Sequence, residues 1–125
     1  MATISPTIAQ AQGPNSDPRH GCFLVTWVLG NGDVGAAFSG PNFNVKSVHA
    51  FGTFASASLA LQGSNEQTPT DWETLHDQSD NALTLSAAGL SSVQEAVTNI
   101  RPGPVTGGDG TTSITVVLLC VATSK

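Results

Sequence analysis

A chain of 125 residues can close one hydrophobic core and not two. Charged residues make up only 10% of it against 39% hydrophobic, which excludes a helical bundle with wet faces of Glu, Lys and Arg and favours a turn-rich all-β protein. The net charge is −5 and the four basic residues, Arg19, Lys46, Arg101 and Lys125, are scattered, which argues against a phosphate-neutralising nucleic-acid patch and against a polybasic hold on a membrane.

Residues 1–19 carry Pro6, Pro14 and Pro18 and little apolar periodicity, so they read as an extended N-terminal arm ahead of a β-sandwich domain over residues 20–125. The start lacks the basic residues and unbroken apolar core of a signal peptide, and no apolar run is long enough to span a bilayer. "HGCFLVTWVLG" is a strand rich in β-branched and aromatic residues, stopped by the turn signal Gly30 to Asp33. "VGAAF" follows as a short strand and "SGPN" as another turn. In "FNVKSVHAF" the residues Phe43, Val45, Ser47, His49 and Phe51 share a side. In "TFASASLALQG" the period of two sets Ala55, Ala57, Leu59 and Leu61 against Ser56 and Ser58.

Beyond a polar loop, "DWETLHD" and "NALTLSA" read as two more short strands. Trp72 is expected to anchor the first of them, its indole covering the core while Asp71 and Glu73 point to solvent on the other face. "GLSSVQEAVTN" is the one plausible helical turn, capped by Ser91 or Ser92 with Glu95 closing a capping box. "IRPGPV" then suggests an edge-like strand, "GGDGTT" a hairpin turn, and "SITVVLLCVA" a long final strand. About eight short strands separated by turns point to an all-β fold, an antiparallel β-sandwich of jelly-roll type.

The first and last long strands are apolar on both faces, whereas a lone two-layer sandwich should show water a polar outer face. The second face therefore needs a cover, either the chain's own arm or a partner. The residues expected at an oligomer interface or a docking contact with a larger assembly are Ile4, Pro6 and Ile8 of the arm, Phe23, Val25 and Trp27 of the first strand, and Val117, Leu119 and Val121 of the last.

No catalytic residue is expected. His20, His49 and His76 lack the spacing of a metal site, and no Ser sits in a nucleophile elbow. The carboxylates Glu66, Asp71, Glu73, Asp77 and Asp80 surround Trp72 and read as solvated turn formers, although Asp71, Trp72 and Glu73 are the candidates should the loop hold a ligand. "GGDGTT" has neither the Lys of a phosphate loop nor the alternating acids of a calcium loop. Cys22 and Cys120 read as buried thiols, with a disulfide open to them if the first and last strands are neighbours. The expectation is a non-enzymatic protein without metal or cofactor.

The order "LQGSN…DWETL", "NALTLSAAG" and "NIRPGPVTGGDGTTSITVVLL", over about residues 50–120, resembles the capsid decoration or cement proteins of tailed bacteriophages. That resemblance implies a virion protein, assembled in the host cytoplasm, that binds the outside of a capsid and bridges and stabilises major capsid protein subunits, itself a dimer or trimer. The same order is similar to discoidin-type, galactose-binding-like jelly rolls, which implies a carbohydrate-binding module with Asp71, Trp72 and Glu73 at its site. There, however, Glu66 and Gln67 stand in place of Asp-Gly, and Asn99 in place of a Tyr. A head-completion or tail structural protein would share the same assembly logic.

Overall fold

A computed structural model describes residues 2–12, 18–39 and 43–122. Its strands are β1 (Thr3–Ile4), β2 (Thr7–Gln12), β3 (Pro18–Leu29), β4 (Val34–Gly35), β5 (Phe38–Ser39), β6 (Phe43–Thr53), β7 (Leu59–Ser64), β8 (Glu73–Thr74), β9 (Thr84–Leu85), β10 (Gly89–Val93), β11 (Asn99–Pro102) and β12 (Ser113–Ala122). The long strands are those whose residues alternate or are β-branched; several of the others are two-residue pairings made where a loop passes a sheet. One sheet runs β10-β6-β12-β3-β2 and the other β5-β11-β7-β8, with β9 also on β7. Both are antiparallel, and among the described residues only the short β1–β4 pair is parallel. The chain is thus an all-β antiparallel sandwich of jelly-roll type, with its strands divided more finely than about eight.

The core lies between the sheets. Val25, Trp27, Leu29, Ile114, Val116, Leu118 and Cys120 enter it from the five-stranded sheet and Leu59, Leu61 and Ile100 from the other, all of them 3% exposed or less. Trp27 is fully buried and its indole N–H donates to the Ala36 carbonyl at 3.0 Å, which satisfies the one polar atom a buried indole carries. Gly35 makes this packing possible, since any Cβ there would run into the Pro102 ring and would stand 2.9 Å from Trp27 Cδ1.

Segment 2–12 is paired to the domain itself. β2 is the edge strand beside β3, and backbone bonds from Val34 to Ala2 and from Ala36 to Ile4 fasten β1. Three sequence expectations need correction. "GLSSV" is not helical but β10, because the exposed edge of β6 supplies five consecutive partners from Lys46 to Ala50. "GGDGTT" does turn, with Gly107 at φ 83°, yet it joins β11 of one sheet to β12 of the other and so is no hairpin. The run from Ala55 breaks at a corner, where Ala55 and Ser56 take φ of 50° and 70°, so the alternation holds only from Ala57 onward. The "SGPN" turn lies largely outside the described residues.

Candidate functional site

Two surfaces stand out, the outer face of the five-stranded sheet and a groove at the end of the other. The outer face follows from register. Val28, Thr115 and Phe51 form one row across β3, β12 and β6. Thr7, Thr26, Val117, His49 and Leu90 form the next across all five strands, and Ala9, Leu24, Leu119, Ser47 and Ser92 the third. These rows contain no Asp, Glu, Lys or Arg. Leu90 is 70% exposed, Val28 54% and Phe51 39%, and the His49 and Phe51 rings lie 4.9 Å apart between centroids.

Val117, Leu119 and Val121 point to this outer face, half-buried by their neighbours. Val25 and Trp27 do not, being 0% exposed inside the core, and Phe23 pairs with the inward Cys120. The interface expected of those three is therefore corrected. Register makes Thr26 the partner of Val117, so the outward residues of β3 are Leu24, Thr26 and Val28. Ile4 packs against the core, Pro6 is half-buried, and Ile8 is 54% exposed at the sheet edge. Val28, Phe51 and Leu90 are interface candidates that sequence reasoning missed; the alternation of β3 and β6 held the signal, but which parity faces out depends on pairing.

The groove, of about 620 Å³, has Gly63, Leu75 and Val97 in its apolar floor, and Glu66, Asp71, Glu73, His76 and Glu95 supply its charge. A Cβ on Gly63 would stand 2.8 Å from Leu75 and 2.9 Å from Val97, so glycine keeps this floor open. Glu66 is consumed by its own loop. Its Oε1 accepts from Asp71 N at 2.7 Å and Thr70 N at 2.9 Å, and these bonds hold the carboxyl below its ordinary range. Asp77 likewise takes the amides of Asn81 and Ser79, the turn-forming role read from sequence. Glu95 spans to His76, with Oε1 accepting the backbone N–H at 2.8 Å and Oε2 lying 2.6 Å from Nδ1. The bond to Glu95 raises the His76 pKa, with Asp80 and Asp77 adding to it. On Glu95 burial pushes upward, but the bonds from His76 outweigh it and the carboxyl lies lower than usual.

Trp72 is inverted relative to expectation. It is half-buried outside the main core, with the Arg101 guanidinium stacked 4.4 Å from its ring centroid and Arg101 Nε donating to Gln62 at 2.9 Å. Asp71 and Glu73 line the groove instead. The reason is the register of β8. Thr74 pairs with outward Gln62 and Glu73 with inward Gly63, which sends Glu73 toward the groove and leaves the indole to cover Arg101. Among the described residues no three His, Cys, Asp or Glu side chains converge as a metal site. Cys120 is a free buried thiol that burial pushes up to about 11, with nearby Lys46 pulling the other way. Cys22 pairs in backbone register with Val121, one place past the Phe23 and Cys120 pair, and its side chain lies outside the described residues.

An all-β jelly-roll sandwich with one uncharged outer face and one acidic groove is the class these features define. No protein-family model and no curated protein matches the chain. Among solved structures it is similar to a protein from Neisseria meningitidis, at 13% identity over 94% of this chain and 83% of that one with a TM-score of 0.44. It is similar also to a cupin domain from Bordetella pertussis, at 10% identity over 98% and 96% with a TM-score of 0.44. Peruvianin-I, a cysteine peptidase from Thevetia peruviana latex, matches at 12% identity over 94% of this chain and 61% of that one with a TM-score of 0.45. At such identities the likeness concerns strand arrangement alone.

Proposed function

We propose that the chain is a non-enzymatic structural subunit of a virion, which joins its neighbours in a shell through the outer face of the β10-β6-β12-β3-β2 sheet. The observation that carries this reading is the uncharged, partly apolar surface of three aligned rows, centred on Val117, where a solitary sandwich would present polar side chains to water. The resemblance of residues 50–120 to phage decoration proteins supports the same reading and names the major capsid protein and further copies of the chain as partners. Many weak contacts repeated over a shell sum through multivalency, so no single tight site is required. Gradient sedimentation with shells of the accompanying major capsid protein tests it. Wild-type protein travels with the shells, and Val117→Asp lowers the amount retained; a protein left wholly at the top of the gradient contradicts the proposal.

The groove favours a second reading, a carbohydrate-binding module. The carboxylates of Asp71 and Glu73 stand at its wall and accept no hydrogen bond among the described residues, which leaves them available to sugar hydroxyls. Arg101 already occupies a face of Trp72, so the stacking platform such a module needs is taken up within the chain. Glycan-array binding abolished by Asp71→Ala in a folded protein would place this reading first.

A further inference from the structure

We infer that the outer face of the five-stranded sheet is closed by a second copy of this chain, packed sheet on sheet as a two-fold dimer. The inference rests on the assembly reading above and names the occupant of its surface. Charge supplies the first argument. The chain carries −5, so two copies repel wherever acidic surface meets acidic surface. The three rows around Val117 hold no Asp, Glu, Lys or Arg, their one titratable side chain being His49, and across them two copies meet with the least repulsion. A basic partner would instead be drawn to the groove, where Asp71 and Glu73 stand.

Shape and area supply the second. A two-fold axis along β12 would set the β3 side of one copy over the β6 side of the other, so that Val28 of each meets Phe51 of each, two of the most exposed apolar residues of the fold. The rows hold three, five and five residues, each covering about 4.8 by about 6.8 Å, which gives a face of about 420 Å². Two such faces come to roughly 850 Å², a little under the size of a stable specific interface, which fits a weak, reversible dimer that forms in the micromolar range rather than an obligate one. Sheets stacked in this way sit about 10 Å apart, a gap that Val, Leu, Thr and Phe side chains fill.

Sedimentation-velocity ultracentrifugation of the purified chain over a concentration series tests this. The expected result is a concentration-dependent shift from the 12.7 kDa monomer to twice that mass, abolished by Leu90→Asp and by Val117→Asp and unchanged by Glu73→Gln. Leu90 is 70% exposed on an edge strand, so its substitution decides the matter if circular dichroism shows Val117→Asp to be unfolded. A wild-type monomer at about 100 µM, or a dimer indifferent to both substitutions, overturns the inference. A dimer that ignores capsid shells leaves it standing and sinks the virion reading, whereas a monomer that binds shells does the reverse.

Discussion

The two tryptophans occupy opposite environments, and their substitution separates them. Trp27 is fully buried with its N–H bonded to Ala36, so Trp27→Ala leaves a cavity and an unmatched carbonyl and costs about 3–5 kcal/mol in urea unfolding. Trp72 is half-buried under Arg101, and Trp72→Ala costs about 1 kcal/mol or less. Equal losses at the two sites contradict this assignment. Sequence alone made Trp72 the core anchor because its strand was visible and its register was not; a shift of one residue exchanges the two faces. Cys120 is a second test at this scale. Its buried thiol, raised to about 11, stays unreactive toward a thiol reagent in native Cys22→Ser protein and reacts once urea unfolds it.

At the scale of elements, Glu95 ties the β8–β9 excursion to the connection that follows β10. It does so through both its bonds to His76 and the neighbouring bond from Gln94 N to the His76 carbonyl. The His76 pKa is raised on folding, so its stabilising contribution is complete below the ordinary 6.5 and fades as pH rises through the raised value. The Glu95 pKa is lowered, so its contribution is complete above 4.5 and fades as pH falls through the lowered value. Wild-type Tm therefore exceeds that of Glu95→Gln most between pH 4.5 and 6.5, and the gap narrows on either side. A gap as wide well above the raised imidazole value contradicts the account. Glu95 was legible as a hydrogen-bonding residue but was given the wrong element. The Ser92 to Glu95 spacing satisfies a capping box, yet a sheet edge in need of partners overrides so short a local preference.

For the whole molecule, composition and alternation sufficed to read an all-β sandwich, because turn residues and period-two strands are local signals. Which strands pair is not local. β12 lies between β3 and β6, and β11 beside β7, so the groove at Glu73 and the outer rows at Val117 arise only when distant segments meet. The doubly apolar pattern of the first and last long strands already implied an outer face less polar than a solitary sandwich would show to water, and register assigns that face to Leu24, Val28, Val117 and Leu119. Gly35 belongs to this scale too, since it lets β4 close over Pro102 and Trp27 where the two sheets meet. Gly35→Val therefore lowers Tm by several degrees or prevents folding, and a variant as stable as wild type contradicts that packing.

The most direct test of the central claim is a cryo-electron map of the particle that carries this chain. The account predicts sandwich-shaped density repeated over the outside of the shell, with the rows around Val117 buried in a protein contact and the groove at Glu73 left open. Particles without such density, or with this chain attached while the Val117 face lies bare to solvent, would contradict it.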